Sequence, residues 1–433
     1  MSEKQQLHPF LLPQLHLNNL THNLSLQLRP WQRSFHFWSR AIDIYAGYKV
    51  FQVRVSFEKD VKKQEEMWEK QHQVAADKIY DMCTNLGGFF LKIAQIVGKP
   101  DLAPAPWVKR LVTLCDQSPA TPYQTLKIVL EDELGRDIND IFERFDMEPL
   151  GSASIAQVHR ARLRGDKDDV VVKVQHPGVQ DIMMTDIHNL QAFALFMQKT
   201  DIKFDLYSIT KEMEKQIGYE FDFRREADSM QRIRKFLYEN NKRSPILVPR
   251  VIRNMVTRKV LVMEYMDGVS IMKLGDEIAK RGIDPNGKLA RAAKNQVTLL
   301  DYGQVKELPE KLRIGYANLV LALADGDILR TNECFRELGI ETSITCENEI
   351  QQQDMFKMVQ QLFDTKMSPG DPMLHPFSDD SLDKKVGVQA FPEELFSVLR
   401  TVQLLRGLSV GLGINYSCAE QWRPYAQEAL NEG

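Results

Sequence analysis

Residues 151–174 constrain the fold of this chain more than any other segment. The run I-A-Q-V-H-R-A-R-L at 155–163 is followed by the polar turn R-G-D-K-D-D and then by V-V-V-K-V at 170–174. Two such runs around a turn predict a β-hairpin. Its second strand carries Lys173 between valines, and a buried lysine is costly unless its charge is paired. The segment therefore predicts a sheet that holds a lysine beside an acidic partner.

Two acids further along the chain are candidates for that partner, Glu220 and Glu226 in the run Y-E-F-D-F-R-R-E-A. The run predicts one helix, on which Glu220, Asp222 and Glu226 face different directions and so have different partners. Charged runs on helices are usually solvated faces. That alternative stays open from the run alone.

A run of small residues opens the hairpin. G-S-A-S-I-A-Q-V at 151–158 is similar to the phosphate loop G-x-G-x-x-G-x-V, with Ala at the second and third Gly positions. Small residues let backbone amides approach phosphate oxygens closely. A small-residue turn that only starts a hairpin would explain the run as well. The candidate loop residues are Gly151, Ser152, Ala153, Ala156 and Val158.

Two later strand ends extend the set. The run L-V-M-E-Y-M ends with Glu264 and Met266, where a hinge backbone would meet an adenine ring. The run V-T-L-L leads into Asp301-Tyr302-Gly303, and a carboxylate at such a strand end suits Mg²⁺. Each end is ordinary by itself, but their order leaves little room for chance.

In this order the motifs resemble those of the UbiB family of atypical kinases, from about Tyr45 to Pro424 and most closely those of its plant members. The resemblance implies an α+β, protein kinase-like, two-lobed fold with an N-terminal helical extension. It also implies ATP or ADP with Mg²⁺ as cofactors, ATPase or kinase activity, and a link to coenzyme Q or plastid prenyl-lipid metabolism. It assigns Lys173 and Glu226 to ATP binding and Asp301 to metal binding.

The family's K-x-G-Q motif corresponds to Lys92-Ile93-Ala94-Gln95, with Ala in place of Gly. In the family this lysine covers the pocket where a peptide substrate would lie, and it pairs with the acids of an E-x-D motif. Those acids correspond here to Glu220 and Asp222. The resemblance thus implies a regulatory pocket formed by Lys92, Gln95, Glu220 and Asp222.

The family's catalytic loop, H-x-D-P-H-P-G-N, has no counterpart. No histidine lies between His188 and His375, and the 32 residues from Val269 to Leu300 are too few for the loop and a helix of roughly 20 residues that crosses the lobe. The helix-like run L-A-R-A-A-K at 289–294 meets V-T-L-L without a Gly or Pro stop. We hypothesise that an internal block was removed, by splicing or by a gene-model error, which leaves the C-lobe incomplete.

The missing block would have supplied the catalytic base and the second metal ligand. No residue is therefore predicted as catalytic, and weak or no ATPase activity is expected of this pseudokinase. Two alternatives stay open: a non-catalytic nucleotide- or lipid-binding scaffold, and an unstable truncated isoform. A small-molecule phosphotransferase shares the fold class but needs the same loop.

Composition shifts predict four regions. Residues 1–40 have Glu3 as their only acid, which predicts an organellar presequence or a disordered tail. Residues 41–118 are predicted as the helical extension, with a long helix around 42–73 and a helix break at Gly87 and Gly88. Residues 119–268 are predicted as the N-lobe with a helical insert. A third helical region, T-P-Y-Q-T-L-K-I-V-L-E-D-E-L-G, is predicted to be capped by Thr121, with Pro122 at its first helical position, and to end at Gly135. Residues 269–433 are predicted as a shortened, mainly helical C-lobe.

The remaining composition excludes several protein classes. A net charge of -3 gives no nucleic-acid footprint, and five cysteines without a C-x-x-C pair indicate neither zinc nor disulfides. Arg400 and Arg406 interrupt the best late apolar stretch, so no transmembrane helix is predicted. The expected partners are a nucleotide, a prenyl lipid or membrane surface contacted peripherally, and a lipid-biosynthesis complex, in a mitochondrion or chloroplast.

Overall fold

The computed structural model divides into two compact units. It describes residues 11–97, 104–114, 120–201, 206–240, 246–268, 297–342, 346, 348–366, 388–392, 394–411 and 414–431. The first unit takes residues 1–99, 103–231 and 250–265, and the second takes 100–102, 232–249 and 266–433. The segment 269–296, which contains most of the predicted deletion site, lies outside the described residues.

The helices of the first unit are, in chain order, α1 (Leu11–Val55), α2 (Val61–Leu86), α3 (Phe89–Val97), α4 (Ala105–Leu111), α5 (Tyr123–Leu134), α6 (Ile138–Ile141), α7 (Val179–Thr200), α8 (Leu206–Glu220) and α9 (Phe223–Asn240), whose last residues belong to the second unit. Phe37 of α1, Leu86 of α2, Phe90 of α3 and Leu111 of α4 share one buried cluster. The packed part of α1 thus extends into the predicted presequence or tail, and that assignment stays a prediction.

The helix breaks in this layer follow local chemistry. The long helix predicted around 42–73 is in fact interrupted, because α1 ends at Val55 and Asp60 caps α2 by accepting a hydrogen bond from the amide of Lys62 at 3.0 Å. The break predicted at Gly87 and Gly88 is confirmed. Both glycines have positive φ, 61° and 54°, which other residues adopt only with strain.

The sheet of the first unit is antiparallel throughout. Its strands are β1 (Phe142–Phe145), β2 (Gly151–Ser152), β3 (Ala156–Leu163), β4 (Asp169–Gln175), β6 (Val251–Val256) and β7 (Val260–Glu264). The order is β1-β3-β4-β7-β6, with β2 paired to β3. The hairpin predicted from residues 151–174 is confirmed as β3 and β4.

Alternation along β4 separates its apolar and polar side chains. Val170, Val172 and Val174 pack in one cluster with Leu126 and Leu130 of α5. Successive side chains of a strand point to opposite faces, so Lys173 and Gln175 project from the other face of the sheet.

Helix α5 begins one residue later than its predicted cap implies. Pro122 is the N-cap and no side chain caps the helix, so the assignment of Thr121 as the cap is wrong. Gly135 ends the helix in the left-handed conformation, at φ 67°, as predicted.

The described part of the second unit is mainly helical. Its helices are α10 (Glu310–Asp325), α11 (Ile328–Glu337), α12 (Glu349–Phe363), α13 (Leu395–Gly411) and α14 (Cys418–Asn431). Its strands are β5 (Ile246–Leu247), parallel to β8 (Val297–Thr298), and β9 (Glu341–Thr342), antiparallel to β10 (Val388–Ala390). Only Val297 and Thr298 of V-T-L-L form a strand. Across both units, the described helices include none with the length and apolar character of a membrane span.

Candidate functional site

Lys173 and Glu226 form the centre of the candidate site. The Nζ atom of Lys173 lies 2.7 Å and 2.9 Å from the two carboxylate oxygens of Glu226. The side chain of Glu226 is 4% exposed, and Lys173 Nζ also lies 5.0 Å from the centroid of the Phe223 ring. Both acid and ring come from the first turn of α9. The strand lysine is therefore paired, and its partner is Glu226 rather than Glu220.

The small-residue loop lies beside this pair. Gly151 and Ser152 are in register with Val158 and Gln157 on β3, and the amide of Ala153 donates to the carbonyl of Ala156 at 2.8 Å. On the next strand Val158 is in register with Lys173. The sheet thus brings Val158, the last residue of the loop, next to Lys173, as a phosphate site requires.

Two residues that sequence reasoning missed contact this loop. His176 Nε2 lies 2.9 Å from the carbonyl oxygen of Ala153, and Thr121 Oγ1 lies 2.7 Å from His176 Nδ1. Burial lowers the pKa of His176, although the hydrogen bond to Ala153 opposes this. The H-P-G run after β4 marked a turn, but nothing in the sequence linked it to Thr121, which is far away along the chain.

Lys92 on α3 forms a salt bridge with Glu220, the last residue of α8. Asp222 does not join this pair. Its carboxylate accepts hydrogen bonds from the side chain of Arg224, at 2.8 Å and 2.7 Å, and from the backbone amide of Arg224 at 3.1 Å. The Arg224 hydrogen bonds lower the pKa of Asp222, against a smaller opposing effect of burial.

Two predictions about this region are therefore wrong. Lys92 pairs with one acid of the E-x-D motif and not with both. The acids also do not lie on a single helix, because α8 ends at Glu220 and α9 begins at Phe223. The side chain of Gln95, the fourth member of the expected regulatory pocket, lies outside the described part of the structure.

The predicted hinge is tied into the sheet. The amide of Glu264 donates to the carbonyl of Arg250 at 2.8 Å, and the amide of Tyr265 donates to the carbonyl of Asp169 at 3.2 Å. These two amides are therefore engaged and cannot bind an adenine ring. Met266, the next residue, is half-buried and belongs to the second unit.

Asp301 lies in the second unit, in a tight turn. Its Oδ1 accepts a hydrogen bond from the amide of Gly303 at 3.0 Å, and the Asp301 side chain is exposed. The neighbouring Tyr302 is buried and donates its hydroxyl hydrogen to the carbonyl of Leu299 at 2.9 Å. Burial raises the pKa of Tyr302 to about 12. The turn fixes the backbone and leaves the carboxylate available to solvent.

The described side chains could hold Mg²⁺ only together with the phosphate oxygens of a bound nucleotide. Within the described ranges, no three His, Cys, Asp or Glu side chains come together to hold a metal ion. Mg²⁺ in nucleotide sites is commonly held by one or two carboxylates together with phosphate oxygens. Asp301 could supply one such carboxylate.

Comparison with known proteins gives a consistent family. Residues 113–291 match the model of the ABC1 atypical kinase-like domain, a match that ends before Asp301. The chain is 31% identical over 302 residues to AarF domain-containing protein kinase 1 of Gallus gallus, covering 62% of this chain and 57% of that protein. It is 36% identical over 222 residues to the chloroplastic protein ACTIVITY OF BC1 COMPLEX KINASE 8 of Arabidopsis thaliana, covering 49% and 28%.

A longer match is to an uncharacterized, chloroplastic aarF domain-containing protein kinase of Arabidopsis thaliana, 28% identical over 384 residues, which covers 82% of this chain and 54% of that protein. Among solved structures, the chain is similar to Rv3197 of Mycobacterium tuberculosis, solved with erythromycin, at a TM-score of 0.47 and 19% identity over 81% of this chain and 98% of that chain. That likeness is too low to bear on function.

The chain spans little more than half the length of the chicken relative. The matched residues include the loop at 151–158, Lys173, Glu226 and the hinge, and the fold around them is the mixed helix-and-sheet fold that the motifs predicted. The chain therefore carries an ABC1 atypical kinase-like domain at residues 113–291, and its relatives are AarF-domain, or UbiB, atypical kinases.

Proposed function

We propose that this chain binds ATP or ADP and turns ATP over weakly or not at all. The observation that carries the proposal is the contact of Lys173 Nζ with both carboxylate oxygens of Glu226, at 2.7 Å and 2.9 Å, beside the small-residue loop. A lysine held in this way is a fixed positive charge that can bind phosphate oxygens. The proposed ATP-binding residues are Gly151, Ser152, Ala153, Ala156, Val158, Lys173, Glu226 and Met266, together with Glu264, which ends the strand that places Met266.

Each proposed role follows from local chemistry. The loop amides would bind phosphate oxygens, Lys173 would neutralise their charge, and Glu226 would keep the lysine oriented. Since the amides of Glu264 and Tyr265 are engaged within the sheet, we assign recognition of the adenine edge to the backbone of Met266. Asp301 would hold Mg²⁺, which in such sites neutralises charge on the phosphates.

Weak turnover follows from what the sequence lacks. Phosphoryl transfer in kinases also needs a residue that orients the nucleophile and a second metal ligand. The sequence between the hinge and Asp301 contains neither a His-x-Asp motif nor any histidine. We therefore assign this chain a binding role first, within the prenyl-lipid metabolism that the family resemblance suggests.

Calorimetric titration of the purified chain with ATP and ADP, together with a Mg²⁺-dependent phosphate-release assay, tests the proposal. We expect saturable binding that Lys173→Ala weakens by more than about tenfold, the size of one charge-assisted interaction. We expect little phosphate release. Absence of nucleotide binding by the folded chain would refute the binding role. Robust release that Lys173→Ala abolishes would refute the weak-turnover role.

Helix α1 supports a second role, peripheral contact with lipid. Six large apolar side chains on one face of α1 and in the turn after it are more than half exposed: Trp31, Phe35, Ile42, Val50, Val53 and Phe57. The same stretch carries the basic side chains Arg40 and Arg54, as well as Arg33 and Lys49, which form salt bridges with Asp186 and Asp201, and its single acid is Asp43. An apolar face combined with basic residues is typical of helices that lie on anionic membranes.

Sedimentation with phosphatidylcholine vesicles, with and without phosphatidylglycerol, tests this role. We expect binding that requires phosphatidylglycerol and that Phe35→Gln with Val53→Gln abolishes. Ile128→Gln, an exposed apolar residue on α5, is the matched control and should bind as the wild type does. The chloroplastic names of the plant relatives support an organellar location, mitochondrion or chloroplast, as part of the same proposal.

A further inference from the structure

His176 contacts the small-residue loop at two points. Its backbone amide donates to the carbonyl of Ile155 at 2.9 Å, and its ring Nε2 lies 2.9 Å from the carbonyl oxygen of Ala153. A carbonyl oxygen can only accept, so Nε2 must carry the hydrogen. The neutral ring then accepts at Nδ1, where the hydroxyl of Thr121 donates at 2.7 Å. The direction of each hydrogen bond is thereby fixed.

Thr121 is itself held by Gln157 of β3. The side-chain oxygen of Gln157 accepts from the Thr121 amide at 2.6 Å, and its nitrogen donates to the Thr121 carbonyl at 3.1 Å. The same nitrogen donates to His159 Nε2 at 2.8 Å, while His159 Nδ1 donates to the carbonyl of Asp146 at 2.8 Å. Gln157 and His159 are 1% and 0% exposed. A buried, satisfied network of this kind is rigid, because every alternative leaves a polar group unpaired.

These contacts decide which groups of the loop remain for a ligand. The carbonyls of Ala153, Ile155 and Ala156 all accept hydrogen bonds within the chain. Among the residues that the structure describes, no acceptor is found for the amides of Ser154 and Ile155. An anion is bound by amide donors and repelled by carbonyl oxygens. Three carbonyls of the loop are therefore engaged, and the amides of Ser154 and Ile155 remain available as donors, which suits phosphate.

We propose that His176, oriented by Thr121, is a positioning residue that holds the loop at 151–156 with the amides of Ser154 and Ile155 available to the phosphate oxygens of a bound nucleotide. The inference rests on the proposed nucleotide-binding function and adds a specific determinant to it. His176 acts through the loop and does not itself contact the nucleotide. Its removal should thus weaken recognition of phosphates and leave recognition of the nucleoside unchanged.

The test compares the affinities of ATP, ADP and adenosine by calorimetry for the wild type, four test variants and one control variant of the full chain. His176→Leu and Thr121→Val remove the hydrogen bonds that hold the loop, whereas His176→Gln keeps a donor in the place of Nε2 and Thr121→Ser keeps the hydroxyl. We expect His176→Leu and Thr121→Val to lower the affinity for ATP and ADP by about tenfold and to change the affinity for adenosine by less than about twofold. His176→Gln and Thr121→Ser should keep most of the wild-type affinity. His188→Ala, a histidine whose side chain is 61% exposed on α7, is the control and should match the wild type.

A second readout does not depend on nucleotide. In the absence of ligand, amide hydrogen exchange at residues 152–156 should be faster in His176→Leu and Thr121→Val, while the amides of β4 keep their protection. Unchanged exchange with unchanged ATP affinity would refute the inference, and so would an equal loss of ATP and adenosine affinity. If the folded wild type binds no nucleotide, the proposed function is refuted and the role of His176 in phosphate binding is refuted with it. The exchange measurement still decides whether His176 and Thr121 hold the loop in place.

Discussion

Arg33 of α1 and Asp186 of α7 form a bidentate salt bridge beside Gly87, the residue at which the chain turns from α2 towards α3. Arg33 Nε lies 2.5 Å from Oδ1 and Nη2 lies 2.7 Å from Oδ2 of Asp186, whose side chain is fully buried. The same Nη2 lies 3.4 Å from the carbonyl of Gly87, in the break that separates α2 from α3. The salt bridge thus anchors the helix that carries Lys92.

Removal of Arg33 should destabilise the first unit in a pH-dependent way. Burial raises the pKa of Asp186 to about 6, although Arg33 opposes this. A raised carboxyl pKa favours the protonated form in the folded state, so stability falls as pH rises from about 4 through 6. Arg33→Leu leaves the ionised carboxylate unpaired and should cost about 3 kcal/mol at pH 7.5, and clearly less at pH 4.5.

Urea unfolding at the two pH values measures this difference. Lys78→Ala, which removes an exposed salt bridge to Asp43, should cost less than about 1 kcal/mol at both. An equal cost of Arg33→Leu at pH 4.5 and 7.5 would show that Asp186 does not titrate as expected.

The Lys173–Glu226 pair should show strong coupling. Glu226→Ala leaves a mostly buried ammonium group without its counter-charge and should lower the free energy of unfolding by about 3 kcal/mol. The double variant Lys173→Met with Glu226→Leu replaces both charges by apolar groups and should cost less than either single alanine variant. A double-mutant cycle by urea unfolding measures the coupling. The exposed pair Lys235–Glu239 is the control and should show almost none, and additive costs at Lys173 and Glu226 would contradict the expected coupling.

Asp169 should control acid stability. Burial raises the pKa of Asp169, but hydrogen bonds from Arg160, Arg144 and Arg162 outweigh it and hold the pKa at about 2. A depressed carboxyl pKa contributes stability above the unfolded pKa of about 4, and that contribution is lost as pH falls towards 2. Asp169→Asn should therefore reduce stability at pH 7 and make stability depend less on pH between pH 4 and 2. Thermal unfolding across this range is the measurement, with the exposed Asp168→Asn expected to keep the wild-type profile.

Asp301 should make nucleotide affinity depend on metal. If its exposed carboxylate holds Mg²⁺, ATP should bind the wild type more tightly with Mg²⁺ than with EDTA, and Asp301→Asn should remove most of that difference. Asp166→Asn, in the exposed turn between β3 and β4, should retain it. Titrations of both variants with and without Mg²⁺ are the measurement, and a full Mg²⁺ effect in Asp301→Asn would exclude the role.

Local pattern predicted the elements that depend only on neighbouring residues. The β3–β4 hairpin and the breaks at Gly87, Gly88 and Gly135 arise from alternation and from backbone conformations that glycine alone adopts easily. Prediction failed where a competing local preference was equally good. Thr121 is a good helix cap by residue type, but its hydroxyl is engaged with His176 Nδ1 and Pro122 takes the cap position.

The amino-acid sequence is enough to show the order of the motifs, the strand that carries Lys173 and the absence of a catalytic loop, because these are properties of adjacent residues. The partners of the charged side chains depend on tertiary packing. The end of α8 at Glu220 and the start of α9 at Phe223 direct Glu220 to Lys92 and Glu226 to Lys173, and β4 brings His176 to Ala153 and Thr121. Charge and residue type were compatible with either Glu220 or Glu226 as the partner of Lys173. The packing of elements that are distant along the chain places Glu226 there.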